Sequence, residues 1–321
     1  MLDNFVGLQS IGGMQQKRFL KQQLATRLKW QDMDLDYLRQ LVSLGKIEDL
    51  AGAGLATRPE HLGDVTSMLM PEAGNGCAAI VARVEGIVCG MPLIAMVLAA
   101  YGDEFEVKCA VEDGMPMEPG LTLATIHGPA IGLLQAERVM LNFLQHLSGI
   151  ASETRLYVNV LKASDTCLLD TRKTTPGYRV LEKYAVACGG GYNHRIGLFD
   201  RIMLKDNHLR VAGCAAGEAL TEAVRAARSV AETIPVEVEI DTLAQLEPVL
   251  VAGADVVLLD NFTTFDMSAA VEQNSGRAYL EASGGITLER LPELALIGLD
   301  FLSTGALVHQ SRWCDIGLDW L

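Results

Sequence analysis

The chain has 321 residues, of which 50% are hydrophobic, and it carries a formal net charge of −14 at pH 7. A chain of this length and composition can bury a full core, as one large domain or two moderate ones. The acidic balance argues against a nucleic-acid partner or an anionic membrane surface, because both require a basic protein surface. No apolar run is long enough to predict a transmembrane helix.

The cysteines and the N-terminal residues bear on where the protein resides. The seven cysteines are scattered, without a CxxC motif or metal-ligand spacing, which favours reduced thiols in a cytoplasmic protein. Residues 1–32 are interpreted as a flexible N-terminal extension. The basic stretch MQQKRFLKQQLATRLKW within it lacks acidic residues, so an organellar leader is the alternative interpretation.

The first part of the chain predicts an α+β domain, because helical and strand patterns alternate there. Helices are predicted over 33–50 and 91–102, and strands within 77–88 and 105–130. A long helix follows from about Ile131 to Ala163, with a break expected near Ser148 and Gly149.

Beyond Ser164, short apolar strands alternate with amphipathic helices. The strand segments are CLLD, RIMLK, VEVEI, DVVLLD, AYLEA and DFLST. Alternation of this kind predicts a parallel α/β sheet or barrel. We therefore divide the chain into the extension 1–32, an N-terminal α+β domain 33–142 that is joined by the C-terminal segment 307–321, and an α/β-barrel catalytic domain 143–306.

Polar residues lie at or just past the ends of the predicted strands. They are Lys173, Lys205, Glu239, Asp260, Ser283 and Ser303. In α/β barrels the carboxyl ends of the strands meet at one face, and the chemistry collects there. The coincidence predicts one shared site.

The stretch from Leu168 to His208 concentrates positive charge in an otherwise acidic chain. It contains Arg172, Lys173, His194, Arg195 and Lys205, just after apolar runs or inside Gly-rich turns. Arg supplies forked donors, and Lys supplies a point charge, for carboxylates and phosphates. Any one of these residues alone is better explained as a surface salt-bridge partner. As a set they predict the binding of a small polyanion.

Glu239 and Asp260 end consecutive predicted strands, so their carboxylates can converge on one hard cation. Mg²⁺ is the expected ion, because it keeps waters and substrate phosphates as its other ligands. The alternative is that both residues cap the helices that follow. Glu237 is left out of the site, on the expectation that it points to the opposite face of its strand.

Two Gly-containing loops follow predicted strands, at Ser283-Gly284-Gly285 and at Ser303-Thr304-Gly305. Backbone amides in such loops can bind phosphate, although glycines also serve ordinary turns. His309 is a further candidate for a phosphate contact. Gly189–Gly191 are expected to permit a tight backbone turn beside the substrate.

Four motifs follow one another in the basic stretch: DTRKTTPG, KYAV, GGGYNHR and KDNH. In this order and spacing they resemble the quinolinate phosphoribosyltransferase family, also called carboxylating nicotinate-nucleotide pyrophosphorylases. The resemblance covers nearly everything after about Asp49, including GDVTS, AERVMLNFLQHLSGIAS, LEASGGI and LSTGALVHQS. It implies an α/β fold, with an N-terminal α+β sandwich-like domain and a C-terminal open α/β barrel of six to seven parallel strands.

The resemblance also implies a reaction and roles for the site residues. Quinolinate and phosphoribosyl pyrophosphate give nicotinate mononucleotide, pyrophosphate and carbon dioxide, in de novo NAD biosynthesis. The implied quinolinate contacts are Arg138, Arg172, Lys173, His194, Arg195 and Lys205. Lys173 is also implied to meet the phosphates and to be catalytic together with Glu239 and Asp260, with Mg²⁺ as the cofactor. A homodimer with shared active sites is implied, or a higher oligomer, in which the partner subunit supplies Arg138.

Two other functions fit the same fold. A paralogue can use another substrate, as nicotinate phosphoribosyltransferases and related proteins found with molybdate transport do. A substrate with one carboxylate leaves part of the basic set without a partner, which argues against this alternative. A catalytically silent member can act as a scaffold or anion-binding module, and the presence of both the basic set and the two carboxylates argues against it.

Overall fold

The computed structural model describes residues 20–70, 73–102, 104–230 and 233–321. Its N-terminal elements are α1 (Leu35–Ala51), β1 (Asn75–Ala82), β2 (Gly86–Ile87), α2 (Met91–Tyr101), β3 (Glu106–Cys109), β4 (Pro116–Met117), β5 (Thr122–Pro129) and α3 (Ala130–Leu161). The helices and strands predicted here are confirmed. Local signals set the helix ends: Asp34 caps α1 by accepting two amides of its first turn, and Gly52 ends the helix with a φ of 63°.

Helix α3 is continuous, so the break predicted near Ser148 and Gly149 is wrong. Both residues serve packing instead. The Ser148 hydroxyl accepts the backbone amide of Cys89 at 3.0 Å. A side chain at position 149 would overlap the backbone carbonyl of Arg312. The glycine therefore permits another segment to approach the helix closely and does not end it.

The following part of the chain alternates parallel strands with helices. Its elements are β6 (Cys167–Leu169), α4 (Arg179–Gly189), β7 (Ile202–Leu204), α5 (Asp206–Val211), α6 (Gly217–Val230), β8 (Val236–Ile240), α7 (Leu246–Val251), β9 (Val256–Asp260), α8 (Thr264–Asn274), β10 (Tyr279–Ser283), α9 (Leu291–Leu294), β11 (Phe301–Ser303) and α10 (Ala306–His309). Each predicted strand is confirmed. In the described part of the chain, no helix has the length and hydropathy needed to cross a membrane.

These strands lie in the order β6–β11–β10–β9–β8–β7, with neighbours parallel. Among the described residues, the two edge strands β6 and β7 do not pair with each other. The architecture is therefore the predicted open α/β barrel. The last strand, β12 (Ile316–Trp320), leaves the barrel and pairs antiparallel with β1, in a separate sheet of order β12–β1–β5–β3. The C-terminal segment thus packs with the N-terminal elements.

Alternate side chains of the barrel strands point into the barrel and form layers. An apolar layer contains Leu169, Val256, Tyr279 and Phe301 from the strands, together with Leu24 from the segment that precedes them. The next layer contains the fully buried carboxylates of Glu237 and Glu281. The strands then end at residues that face a cavity, such as Asp260 and Ser283.

Residues 20–32 pack against the barrel. Leu24 is only 1% exposed, and Thr26 forms a β-bridge with Asn193. The Arg27 guanidinium donates to the carbonyl oxygens of Gly190 at 2.6 Å and Gly191 at 2.9 Å. This portion of the extension that we expected to be flexible is therefore packed, and residues 1–19 lie outside the described residues.

Candidate active site

A cavity of about 350 Å³ opens at the carboxyl ends of the barrel strands. It is lined by Thr171, Arg172, Lys173, His194, Arg195, Met203, Lys205, Glu239, Leu258, Asp260, Glu281, Ser283 and Ser303. Its volume suits a small molecule, and strand ends are where active sites of α/β barrels lie. We therefore take this cavity as the candidate active site.

Most residues predicted from the sequence line this cavity. They are Arg172, Lys173, His194, Arg195, Lys205, Glu239, Asp260, Ser283 and Ser303. Arg138 does not line this cavity; its side chain is exposed on α3. The barrel thus brings together residues that are far apart in the sequence.

The predicted glycine loops adjoin the cavity. Gly284 and Gly285 follow β10 with φ values of 88° and 60°, in the left-handed region that favours glycine. Gly305 lies so close to Lys173 and His309 that a Cβ at position 305 would come within 3.0 Å of both side chains. His309 itself is exposed. Gly190, with a φ of 98°, makes the backbone turn expected after α4.

The cations at the mouth of the cavity are poorly neutralised. Within the described residues, the guanidinium of Arg172 and the ammonium of Lys173 have neither an ion pair nor a hydrogen bond, and both residues are exposed. Burial, and then the nearby charge of Arg172, lower the pKa of Arg195. Crowded cations of this kind are stabilised when an anion binds between them.

Glu239 and Asp260 lie beside each other at the ends of β8 and β9. Glu239 accepts a hydrogen bond from Lys205 at 2.7 Å. Partial burial raises the pKa of the Asp260 carboxyl, and the charge of Glu239 raises it further. Two carboxylates that repel each other fit a divalent cation such as Mg²⁺. The helix-cap alternative is wrong, because Thr263 caps α8 and Thr242 precedes the short 3₁₀ turn after β8. We call Arg172, Lys173, Lys205, Glu239 and Asp260 the rim of the cavity.

Below the rim, four buried ionisable side chains form what we call the floor cluster: His194, Arg201, Glu237 and Glu281. Arg201 Nη1 donates to Glu237 at 2.8 Å. His194 Nε2 lies 3.3 Å from Glu237 and 3.4 Å from Glu281. The other ring nitrogen of His194, Nδ1, accepts the backbone amide of Arg195 at 2.8 Å. Both nitrogens of His194, which we predicted to contact the substrate, thus have partners within the protein.

Opposite charges control the pKa values of the floor cluster. Burial opposes a charge on His194, but the carboxylates of Glu237 and Glu281 outweigh it and raise its pKa to about 9. Burial likewise opposes an ionised Glu237, but His194 and Arg201 lower its pKa to about 2. Neither side-chain oxygen of Glu281 has a hydrogen-bond partner in the structure.

The floor cluster corrects our interpretation of Glu237. We expected this residue to point away from the site, and that expectation is wrong. Side chains two residues apart on a strand share a face, so Glu237 points inward with Glu239. The same spacing places Glu281 inward with Ser283 on β10. Glu281 and Arg201 are not among the residues predicted from the sequence, although the alternation of side chains along a strand indicates that Glu281 faces the same side as Ser283.

A second buried network holds His194 in place. Lys183 Nζ donates to Asp170 at 2.5 Å and to the backbone carbonyl of His194 at 3.0 Å. The Asn193 amide donates to the other oxygen of Asp170 at 2.8 Å, and the backbone amide of His194 donates to Asp170 at 2.8 Å. The first and second motifs of the basic stretch thus supply Asp170 and Lys183, which fix the backbone of the third.

Comparisons with known proteins agree with this geometry. A family model described as the C-terminal domain of quinolinate phosphoribosyl transferase matches residues 150–319, and the model of the N-terminal domain matches residues 64–148. The chain is 41% identical over 262 residues to the nicotinate-nucleotide pyrophosphorylase (carboxylating) of Mycobacterium leprae, which covers 80% of this chain and 90% of that protein.

Two further relatives give the same result. A probable nicotinate-nucleotide pyrophosphorylase (carboxylating) of Bacillus subtilis is 42% identical over 258 residues, covering 80% of this chain and 88% of that protein. The structure of the nicotinate-nucleotide pyrophosphorylase from Francisella tularensis superposes with a TM-score of 0.82 at 34% identity, covering 92% of this chain and 99% of that one. The chain therefore belongs to the quinolinate phosphoribosyltransferase family.

Proposed function

We propose that this protein transfers the phosphoribosyl group of phosphoribosyl pyrophosphate to quinolinate, with loss of carbon dioxide, to give nicotinate mononucleotide and pyrophosphate in de novo NAD biosynthesis. The observation that carries the proposal is the rim, where unpaired cations and a pair of carboxylates face one cavity. Quinolinate brings two adjacent carboxylates, and its cosubstrate brings a monophosphate and a diphosphate. Such charges must be balanced as they leave water.

The two substrates use different sides of the cavity in this proposal. Arg172, Lys173 and Arg195 bind the carboxylates of quinolinate, because forked guanidinium donors match the geometry of a carboxylate. The backbone amides of Gly284 and Gly285, with those after Ser303, bind phosphate oxygens. Lys173 lies beside Gly305 and reaches both the carboxylates of quinolinate and the phosphates.

The paired carboxylates suit a Mg²⁺ ion. Glu239 and Asp260 would hold this ion, and the charge of Glu239, which raises the pKa of Asp260, supports the assignment. When bound, Mg²⁺ supplies charge neutralisation for the departing pyrophosphate.

The reaction follows from the placement of these charges. The pyridine nitrogen of quinolinate attacks C1 of the ribose as pyrophosphate leaves, and the carboxylates of Glu239 and Asp260 stabilise the positive charge that develops on the ribose. The ring nitrogen becomes positively charged. It then stabilises the electron pair that stays on the ring when the adjacent carboxylate departs as carbon dioxide.

We further propose a homodimer in which Arg138 of each subunit completes the cavity of the other. Two observations support it: Arg138 is exposed on α3, and it does not line the cavity of its own chain. The seven cysteines are all free thiols, which supports the cytoplasm as the proposed location.

Product analysis tests the proposed function. Purified protein is incubated with quinolinate, phosphoribosyl pyrophosphate and MgCl₂, and nicotinate mononucleotide and pyrophosphate are quantified. Equal amounts of both products are expected, and neither should form when one substrate is omitted. A folded protein that turns over nicotinate but not quinolinate would overturn the proposal.

A further inference from the structure

The floor cluster contains an unexplained buried carboxylate. Glu281 is fully buried, and neither of its oxygens has a hydrogen-bond partner in the described structure. A buried charge that accepts no hydrogen bond is costly, so such a group calls for a physical explanation. Its nearest charged neighbour is His194 Nε2 at 3.4 Å, and both residues line the active-site cavity.

A bound metal ion does not explain this carboxylate. His194, Glu237 and Glu281 do offer ligand atoms that lie within 4.8 Å of one another. The guanidinium of Arg201, however, is 2.8 Å from Glu237 and 3.2 Å from His194 Nε2. A positive group therefore already lies against two of the three ligand atoms that a cation would need.

One additional proton explains how the buried carboxylate of Glu281 is neutralised. Arg201 is positive, and its partner Glu237 is negative. The buried cluster is then neutral only when His194 and Glu281 together hold one proton more than a neutral imidazole and a carboxylate. His194 Nε2 and Glu281 lie 3.4 Å apart, so the two residues share this proton. The raised pKa of His194 keeps it there at neutral pH.

We propose that this shared proton of His194 and Glu281 is the one that replaces the departing carboxylate on the pyridine ring. The inference rests on the proposed function and names a donor for its last step. The bond between the ring carbon and the carboxylate breaks, carbon dioxide leaves, and the electron pair remains on the ring carbon. That pair forms a new C–H bond with the shared proton. The floor cluster is left with one negative charge, which is neutralised by a proton from water after the product leaves.

Lys205 and the arginines of the cavity are less suited to this step. Lys205 is held by Glu239 at 2.7 Å in the rim, and the arginines do not release protons at neutral pH. Glu281, in contrast, is fully buried and lines the active-site cavity. A buried donor in this position can deliver its proton directly to a ligand in the cavity.

Single-turnover kinetics of Glu281→Gln test the proposal. Glutamine keeps the size of the side chain but has no acidic proton to give. Pyrophosphate release in the first turnover should stay within about tenfold of the natural protein. Formation of nicotinate mononucleotide should slow by about 10²-fold or more, the usual contribution of a positioned acid. The ring carbon then recaptures carbon dioxide, and the ribosylated dicarboxylate should accumulate.

Control variants distinguish the loss of a proton donor from general damage to the structure. Glu247→Gln removes a surface partner of Arg277 and should change neither step. His194→Gln removes the other member of the pair and carries the same test if Glu281→Gln does not fold. The proposal is overturned if, in a folded variant, both steps slow by the same factor or nicotinate mononucleotide keeps pace with pyrophosphate. If the natural protein itself releases no pyrophosphate, the proposed function has failed instead.

Discussion

The rim and the floor of the cavity contain the same kinds of charged residues but use them differently. On the rim, Arg172 and Lys173 are exposed and have no ionic partner among the described residues. In the floor cluster, Arg201 is only 5% exposed and is paired with Glu237 at 2.8 Å. The rim therefore keeps charge available for a ligand, whereas the floor cluster balances its charge internally.

Through this difference, one barrel separates ligand binding from proton chemistry. An exposed cation is solvated by water until an anion arrives, so it tolerates the absence of a partner. A buried cation does not tolerate the absence of a partner, because water cannot solvate it. Removing its partner therefore destabilises the protein strongly. Substitutions on the rim should therefore affect activity, and substitutions in the floor cluster should also affect stability.

The largest expected effect is on the rim carboxylates. Asp260→Asn keeps the shape of the side chain but removes the charge that we assign to Mg²⁺ and to the developing positive charge on the ribose. Turnover should fall by about 10³-fold or more, while the thermal unfolding midpoint stays near that of the natural protein. Excess EDTA should have the same effect on the natural protein, and full activity in EDTA would remove the metal assignment.

Substrate discrimination tests the cations of the rim. Nicotinate lacks one of the two carboxylates of quinolinate, so it leaves part of the basic set without a partner. Its kcat/KM should be lower by about 10³-fold. Phthalate, which has both carboxylates but no ring nitrogen, should bind as an unreactive competitor. Comparable specificity constants for nicotinate and quinolinate would show that the cations serve another ligand.

The stability of the floor cluster is tested by Glu237→Gln. The change leaves the buried Arg201 without its charged partner and should lower the free energy of unfolding by about 3–5 kcal/mol. Glu247→Gln is the matched control, because Glu247 pairs with Arg277 on the surface, and it should leave stability unchanged. Equal stability of both variants in urea titrations would mean that the floor pair is solvated.

The pH dependence of stability gives a second measure of the same cluster. The folded state raises the pKa of His194 from 6.5 to about 9, so protonated His194 favours the folded form. Its contribution is complete below pH 6.5 and is lost as the pH rises through about 9. Glu237→Gln removes one of the carboxylates responsible and should move this alkaline loss to lower pH.

Mixing two inactive variants tests whether a partner completes the rim. Arg138→Ala and Lys173→Ala should each be inactive as homodimers. After subunit exchange, half of the dimers are mixed and each has one intact site, so about a quarter of the full activity should return if Arg138 acts across the interface. Mass spectrometry shows whether the subunits have exchanged. If mixed dimers form but stay inactive, Arg138 acts in the site of its own subunit.

The sequence predicted the strands and the rim because both have local signatures. Lys205, Glu239 and Asp260 each follow an apolar strand segment, and parallel strands necessarily bring such positions to one edge. The floor cluster was missed for a different reason. Arg201 precedes a strand with no motif of its own, and its pairing with Glu237 depends on how the strands are ordered in the sheet.

Local sequence patterns also do not predict the packing between distant segments. Gly149 has the propensity of a helix breaker, but its position under Arg312 overrides that propensity. Leu24 lies among polar and basic residues, so nothing nearby predicts that it fills the base of the barrel. Both features arise from contacts across more than a hundred residues, which the hydrophobic periodicity of a short window does not record.

Release of labelled carbon dioxide is the most direct test of the proposed decarboxylation of quinolinate. Quinolinate is prepared with ¹⁴C in the carboxylate next to the ring nitrogen, and separately with ¹⁴C in the other carboxylate. Labelled carbon dioxide is expected from the first compound only, and only when phosphoribosyl pyrophosphate is present. Release from both compounds, or release without phosphoribosyl pyrophosphate, would contradict the proposed reaction, and so would no release from a protein that binds both substrates.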